Sequence, residues 1–438
     1  MRVDEIEVSP LAEIEHAVLE RARDENLDMD GDGDGAAARL RALIDEEVGR
    51  WDRDADAGLR PFPLADPGGL AERAERNLAG HGPLADLLED DDVWEVMINA
   101  PDQIFVRRHQ GPSGYHDEVF NDGAHLERTL ARILGDARSH RKLDPAEGLQ
   151  DAQLDNGARL HIVHGDIGRG GNLIVNIRRF TGVAIRDLDE LAARGSMSTE
   201  AAAFLRAATR ARLSIVFAGR PGSGKTTLLS CCAAELDPRL RVVTAEEVFE
   251  VDVPLPNVAS MQTRPDRPDR PGVDLRRLVA GFLRMAPDVA IVGEVRDREA
   301  LPLLLTLSSG VTGYTTIHAG SARQALSRLR FICQLADTRS ELPMTALNAL
   351  VTESVDVVVH CDRVDGRPQV EEIVLVEDQQ TSADSAAFTV TELFRRDGPG
   401  SELSWTGALP VRAERALAAT GVDTRALLAD AADPGVPR

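Results

Sequence analysis

The chain contains a glycine-rich stretch, Gly219–Thr226, that reads GRPGSGKT and lies between two apolar segments. It fits the pattern G-x-x-x-x-G-K-[ST] at every defined position. An apolar, β-branched run, Leu213–Ala218, precedes it, and a run with helical spacing, Thr227–Leu236, follows it. Strand, glycine turn and helix bring backbone N–H groups and a helix N-terminus to one point, which favours an anion. The stretch therefore predicts an α/β fold with a phosphate-binding loop.

The side chains of this loop have separate expected roles. Lys225 is expected to reach the outer phosphates of a nucleotide, and the Thr226 hydroxyl to bind Mg²⁺. Lys142 and Lys225 are the only lysines among 50 Lys and Arg residues. Arginine is used almost everywhere else, so the lysine at position 225 indicates a site where a compact ammonium group suits a phosphate pocket. The alternative is a glycine-rich turn that binds nothing. The predicted nucleotide-binding residues of the loop are Gly219, Pro221, Gly222, Ser223, Gly224, Lys225, Thr226 and Thr227.

Composition narrows the class of protein. A length of 438 residues predicts two or three domains. The net charge of −23 argues against nucleic-acid binding through the overall field, although it leaves open a local basic channel. The four cysteines lack zinc spacing, so no zinc is expected. The acidic N-terminus and the lack of a long apolar run predict a cytoplasmic protein that meets a membrane only through partners.

Helical and strand patterns divide the chain into segments. The predicted segments are a helical, acidic N-terminal extension (1–70), an α+β domain (71–180), a linker (181–198), a P-loop domain (199–376) and a variable tail (377–438). Helical stretches are expected at Leu11–Leu27 and Ala36–Trp51 of the extension, and Asp28–Gly35 between them resembles the start of a calcium loop. Arg39 or Arg41 would occupy the place of the bidentate glutamate, so a flexible acidic linker is favoured.

The two middle segments show different patterns. In 71–180 we expect one helix and four strands: His125–Leu134, and Val93–Asn99, Ile104–Arg108, Ala158–Val163 and Asn172–Phe180. In 199–376, helical and strand patterns alternate, which is typical of a mostly parallel sheet. The expected elements there are a helix at Thr199–Arg210, strands at Arg241–Thr244, Asp288–Val292 and Gly313–Ile317, and a hairpin of Ser354–Cys361 with Gln369–Val376. The tail shows only a short helical pattern, Val411–Ala419.

Three stretches downstream of the loop carry candidate catalytic residues. Glu246 and Glu247 end a strand pattern, where a carboxylate could orient or deprotonate a water molecule; a charged surface turn is the alternative. Glu294 follows an apolar strand and could hold Mg²⁺, although Gly293 stands where a first acid is usual. His318 ends another strand and could sense a γ-phosphate; alternatively it is an ordinary core or surface histidine.

Together these residues resemble a known family. Leu283–Arg296 is similar to the Walker B segment, and Gly313–Ala319 to the His box, of the type II/type IV secretion system ATPase superfamily. Glu246 and Glu247 fall at the Asp box. Upstream, Val93–Asn99 and Ile177–Phe180 resemble the branch that drives Tad/Flp pilus assembly (CpaF-like), which is related to the VirB11-like traffic ATPases.

The resemblance implies a RecA-like P-loop NTPase domain preceded by a smaller α+β domain and the helical extension. It implies a homo-hexameric ATPase that binds ATP and Mg²⁺ between the two domains, at an inner-membrane pilus or secretion platform. Glu246 and Glu247 would orient the water, Glu294 would serve Mg²⁺, and His318 would sense the γ-phosphate. Arg178 or Arg179 would contact the nucleotide as an arginine finger does.

The chain also departs from that family. Glu247 replaces the usual aspartate, and Gly310–Gly313 lacks a histidine and an acid that often precede the His box. The tetra-cysteine zinc module of the type II branch is absent from the sequence. Two alternatives therefore stay open: a conjugative traffic ATPase that moves DNA or protein, and a ring subunit that binds nucleotide with little or no turnover.

Overall fold

The chain forms two compact units, residues 1–183 and 184–438. A computed structural model describes residues 9–27, 34–109, 111–136, 142–154, 157–179, 185–264, 266, 270–336, 342–364, 366–377, 387–398 and 400–421. Most of the calcium-like stretch, residues 28–33, lies outside the described residues. Phe180, the start of the predicted linker (181–184) and the end of the predicted tail (422–438) also lie outside them.

The first unit begins with three packed helices: α1 (Pro10–Asp24), α2 (Asp34–Asp56) and α3 (Pro67–Ala79). Their apolar stripes meet around Val18, Leu43 and Ala74, which are fully buried. The sequence predicts α1 and α2 but misses α3, although its start carries a clear signal. The Asp66 carboxylate accepts a hydrogen bond from the Gly69 N–H at 3.0 Å, and Pro67 opens the helix.

The rest of the first unit is an antiparallel sheet with helices. Its helices are α4 (Ala85–Glu89) and α5 (Gly123–Asp136). Its strands are β1 (Val93–Ala100), β2 (Gln103–Arg108), β3 (Gly114–Tyr115), β4 (Leu149–Gln153), β5 (Arg159–Val163) and β6 (Ile174–Arg178), in the spatial order β3-β2-β1-β6-β5-β4. Alternate residues of β1, β5 and β6 face one apolar core, as the period of a strand requires. The four predicted strands and the predicted helix are present.

The second unit is built on a nine-stranded mixed sheet. Its strands are β7 (Ile215–Gly219), β8 (Val242–Glu246), β9 (Val258–Gln262), β10 (Val289–Val292), β11 (Thr312–Ile317), β12 (Val357–Val364), β13 (Arg367–Val376), β14 (Val390–Arg396) and β15 (Leu403–Trp405). The spatial order is β15-β14-β13-β12-β7-β11-β10-β8-β9, with parallel pairing from β12 to β9 and antiparallel pairing from β12 to β15.

Helices cover this sheet, and apolar clusters lie on both of its faces. The helices are α6 (Leu188–Ala193), α7 (Thr199–Arg210), α8 (Lys225–Ala234), α9 (Leu275–Val279), α10 (Ala300–Leu307), α11 (Ala322–Ala336), α12 (Met344–Ser354) and α13 (Glu414–Ala419). Strands buried on both faces often read as continuous apolar runs, which is why β7 and β10 are recognisable from sequence, whereas β11 is buried but contains three threonines and a glycine. In the described part of the chain, no helix is both long and apolar enough to cross a membrane.

Two segments differ from the sequence-based expectation. The stretch predicted to be a linker, 181–198, contains α6, whose Leu188 and Leu191 are buried in the core of the second unit. The stretch predicted to be a weakly patterned tail adds β14 and β15 to the sheet. Its apolar residues Leu393 and Phe394 are fully buried, but they are adjacent in sequence and so hide the alternation of a strand.

The topology places the candidate residues along one edge. The strands β7, β8, β10 and β11 run parallel, so their carboxyl ends lie at the same edge of the sheet. The glycine loop leaves β7 there, β8 ends at Glu246, and Glu294 and His318 follow β10 and β11.

Candidate functional site

The glycine loop is held tightly between β7 and α8. A Cβ atom added to Gly219 would lie 2.2 Å from the Cys361 carbonyl oxygen and 2.4 Å from Ser223 Oγ. Gly224 has a φ of 85° and directly precedes α8. Both positions therefore require glycine, because one lacks room for a side chain and the other has left-handed backbone geometry. The predicted order of strand, loop and helix is confirmed.

The hairpin formed by β12 and β13 supports the loop from outside. Pro368 would be 2.9 Å from a Cβ at Gly224, and Arg363 Nη1 donates to the Gly222 carbonyl at 3.3 Å. The sequence places Cys361 and Gln369 in a predicted hairpin but gives no sign that this hairpin touches the loop. Such a contact joins residues more than a hundred positions apart, so no local pattern reports it.

Lys225 is buried, and its ammonium points back over the loop. Nζ donates to the Arg220 carbonyl at 2.9 Å and lies 3.3 Å from His318 Nδ1. Thr226 and Thr227 follow it at the start of α8 and are half-buried, while Pro221 is exposed. Ser223 is buried, and its Oγ has no hydrogen-bond partner among the described residues. A buried unpaired hydroxyl is costly, so the loop is built to receive a polar ligand.

His318 joins the loop to Glu294. Its Nδ1 lies 3.2 Å from the Gly219 carbonyl oxygen and its Nε2 lies 2.8 Å from Glu294 Oε1. A proton on Nε2 would face the carboxylate and leave Nδ1 to accept from Lys225. The loop lysine, the histidine and the acid therefore form one continuous chain of polar contacts across three elements.

Glu294 is ionised at neutral pH. Burial opposes its ionisation, but the neighbouring His318 and Arg296 side chains outweigh that effect and hold the pKa of Glu294 at about 2. Arg296 Nη2 donates to Glu294 Oε2 at 2.6 Å, and Arg296 Nη1 donates to Glu247 Oε2 at 2.9 Å. Arg296 ends the stretch that resembles a Walker B segment, but the sequence pattern assigns no role to it.

The two acids that end β8 have different surroundings. Glu246 is buried, and its Oε2 accepts hydrogen bonds from the Glu250 N–H at 2.7 Å and the Val251 N–H at 2.9 Å. Glu247 is half-exposed and reaches Arg296. A Cβ at Gly293 would lie 2.9 Å from Glu246 Cγ. Gly293, which stands where a first acid is usual in a Walker B strand, therefore makes room for Glu246.

Arg178 and Arg179 belong to the first unit and end β6. The Arg179 guanidinium donates to the backbone carbonyls of Leu87, Asp90 and Val93, and its side chain is 8% exposed. Arg178 is exposed. Of the two predicted contacts with a nucleotide, Arg178 has the side chain that is open to solvent, whereas Arg179 is engaged within its own unit.

The residues at this edge can be compared with the way in which proteins bind Mg²⁺. In the parts of the chain that the structure describes, no group of three or more His, Cys, Asp or Glu side chains could hold a metal ion. Mg²⁺ usually keeps several waters and binds one or two carboxylates together with substrate phosphates. The Thr226 hydroxyl, at the end of the loop, and Glu294, which follows β10 at the same edge of the sheet, fit that mode of binding.

The site consists of a glycine loop with a buried lysine, and it lies at the carboxyl edge of a parallel sheet that also carries acids and a histidine. This combination defines a RecA-like P-loop domain. The chain belongs to the type II/IV secretion system protein family, whose model matches residues 77–393. The predicted superfamily is thereby confirmed, without distinguishing its Tad/Flp branch.

Two curated relatives and one solved structure are similar to this chain over about two thirds of its length. A putative conjugal transfer protein of Mycobacterium tuberculosis (strain H37Rv) is 31% identical over 312 residues, which is 69% of this chain and 86% of the relative. The type IV secretion system protein VirB11 of Bartonella quintana is 25% identical over 331 residues, or 66% and 90% of the two chains. Among solved structures, the VirB11 ATPase from the Brucella suis type IV secretion system is 27% identical, with a TM-score of 0.36, covering 66% of this chain and 94% of that one.

Proposed function

We propose that this protein is an ATP hydrolase that works as a motor for Tad/Flp-type pilus assembly or protein secretion across the cell envelope. The observation that carries the enzymatic part of the proposal is the chain of contacts from Lys225 through His318 to Glu294, and membership of the type II/IV secretion family supports the motor role. It connects the phosphate-binding lysine to an acid that stays ionised at neutral pH. A loop that only bound phosphate would have no need of that connection.

The residues fit a nucleotide with Mg²⁺. Ser223 and the loop N–H groups would bind phosphate oxygens, and Lys225 would turn from the Arg220 carbonyl to the outer phosphates. The Thr226 hydroxyl and Glu294 would hold Mg²⁺, which neutralises the charge that develops on the transferred phosphoryl group. His318 contacts both Lys225 and Glu294, so it is placed to respond to the γ-phosphate.

Glu246 and Glu247 would both contribute to the orientation of the attacking water, Glu246 indirectly and Glu247 directly. Glu246 fixes the turn after β8 through its two backbone hydrogen bonds. Glu247 extends to solvent and can accept a proton from the water or orient it. Both acids lie at the edge that carries the loop, which supports the assignment.

We propose a homo-hexamer at the cytoplasmic face of the inner membrane, in contact with platform proteins of a pilus or secretion system. Membership of the type II/IV secretion family supports it. In such a ring Arg178, which is exposed, would contact the nucleotide from the first unit or from a neighbouring subunit. The net charge of −23 favours protein partners over nucleic acid.

A VirB11-like conjugative traffic ATPase is the second candidate. The similarity to a putative conjugal transfer protein of M. tuberculosis and to VirB11 of B. quintana favours it. The hydrolytic chemistry would be the same and only the cargo would differ. Deletion of the gene separates the two, because loss of surface pili supports the first candidate and loss of DNA transfer with pili retained supports the second.

The enzymatic proposal is tested by phosphate release from ATP with and without Mg²⁺. We expect turnover that requires Mg²⁺ and that falls at least about 100-fold in Glu294→Gln. Glu235→Gln is the matched control, because Glu235 is similarly buried and binds two arginines away from this edge. Absence of turnover at every protein concentration, also with membranes added, would instead support a nucleotide-binding ring subunit.

A further inference from the structure

Arg296 is shared by two acids that lie 47 positions apart in the sequence. One guanidinium nitrogen donates to Glu294 Oε2 at 2.6 Å and another donates to Glu247 Oε2 at 2.9 Å. A planar guanidinium offers its donors in a fixed fork, so the two carboxylates are held at a set separation. Arg296 therefore links the loop after β10 to the loop after β8.

The backbone that carries Arg296 is fixed on both sides. The Val295 N–H donates to the Thr316 carbonyl at 2.9 Å. The N–H groups of Arg296 and Asp297 both donate to Glu299 Oε1, at 2.5 and 2.8 Å, and Glu299 is buried. Arg296 thus extends from a turn whose backbone is hydrogen-bonded at three successive residues.

Glu247 has no comparable anchor for its carboxylate. In the described part of the chain, the carboxylate is hydrogen-bonded only by Arg296, while the neighbouring Glu246 is held by two backbone N–H groups. We infer that Arg296 is a positioning residue, which places the Glu247 carboxylate beside Glu294 so that it can act on the attacking water. The inference rests on the proposed ATPase function.

The charge of Arg296 also matters for both acids. Two carboxylates held close together repel one another. The Arg296 guanidinium is hydrogen-bonded to both carboxylates, so its positive charge offsets that repulsion. The charged or titratable groups that act on Glu294 and Arg296, directly or through one neighbour, are Lys225, Glu247, Glu250 and His318.

The test is a double-mutant cycle on phosphate release with Arg296→Gln, Glu247→Gln and the double variant. We expect Arg296→Gln to lower kcat by about 10- to 100-fold, while binding of the fluorescent analogue mant-ATP changes less than about threefold. In the Glu247→Gln background, Arg296→Gln should cost less than about twofold further, because the carboxylate that Arg296 positions is already gone. Arg296→Lys keeps the charge without the fork and should recover part of kcat.

Arg194→Gln is the matched control, because Arg194 is 43% exposed and pairs with Glu190 at 2.7 Å outside the site, against 45% exposure for Arg296. The inference is overturned if Arg296→Gln retains full kcat, if the losses of the single variants multiply, or if mant-ATP binding is lost together with kcat. A wild type that hydrolyses ATP while Arg296→Gln is unaffected refutes only the inference. A wild type without turnover refutes the proposed function, and the inference falls with it.

Discussion

A buried acid, Glu15 on α1, gives the clearest prediction about stability. Its side chain is 3% exposed and accepts hydrogen bonds from Asn77 on α3, at 2.6 Å, and from Asn121. Burial raises the pKa of Glu15 from 4.5 to about 7, although both amides and two arginines act in the opposite direction. Between pH 4.5 and 7 the folded chain therefore keeps a proton that the unfolded chain has lost, and stability falls as the pH rises.

A second buried group, His125 on α5, acts in the opposite sense. Burial, reinforced by Arg128, lowers the pKa of His125 from 6.5 to about 4. Between pH 4 and 6.5 the unfolded chain binds a proton that the folded chain does not, so stability rises with pH. At about 1.4 kcal/mol for each pH unit, either group alone changes the free energy of unfolding by about 3 kcal/mol. In the wild type the two slopes nearly cancel between pH 4.5 and 6.5.

Glu15→Gln removes one slope and leaves the other. The amide oxygen can still accept from Asn77, and no charge is buried at high pH. We expect the variant to match the wild type near pH 4.5, to gain stability as the pH rises to 6.5, and to be more stable by up to about 3 kcal/mol at pH 8. Glu20→Gln, on the exposed side of the same helix, should change little.

The assay is thermal unfolding of the full chain from pH 4.5 to 8, combined with hydrogen exchange in peptides from α1 and α3. Exchange is needed because the two units can unfold in separate transitions, and it reports on these helices alone. A Glu15→Gln variant that is less stable than the wild type at pH 8 would refute the reasoning, since it would mean that the ionised carboxylate is favoured in place.

Two further predictions concern the site. Gly293→Ala places a Cβ 2.9 Å from Glu246 Cγ, so we expect a loss of about 1–3 kcal/mol in unfolding free energy, with lower phosphate release. Gly135→Ala is the control, since no atom lies within 4 Å of the new Cβ, and it should be neutral or slightly stabilising. Equal losses of unfolding free energy in the two variants would contradict the steric clash proposed at Gly293. His318→Ala removes one of the groups that keep Glu294 ionised, so the acid limb of the pH–rate profile should move to higher pH. An acid limb that does not move would show that His318 does not influence the ionisation of Glu294.

The parts of the fold that sequence predicts are those that local pattern encodes. The loop at Gly219–Thr226 needs only adjacent residues, because strand, glycines, lysine and helix follow one another. The acids and the histidine could be assigned because each ends or follows a recognisable strand pattern, and parallel strands bring their carboxyl ends together. The strand β4 was missed because it is mostly polar and because Leu149, its largest apolar residue, is 55% exposed.

The rest depends on contacts between distant residues. From the sequence, Gly293 is interpreted as the loss of an acid. In the structure, the absence of a side chain at Gly293 leaves room for Glu246. Arg296 reads as part of a motif, and only the pairing of β8 with β10 brings it to Glu247. Neither relation has a local signature, because each joins segments about fifty residues apart.

The most direct test of the central claim compares the two lysines of the chain. Lys225 is buried in the loop and contacts the Arg220 carbonyl and His318, whereas Lys142 is exposed. We predict that Mg²⁺-dependent phosphate release from ATP falls at least about 100-fold in Lys225→Ala and stays at the wild-type rate in Lys142→Ala. Unchanged turnover in Lys225→Ala would contradict the assignment of this loop as the hydrolytic site.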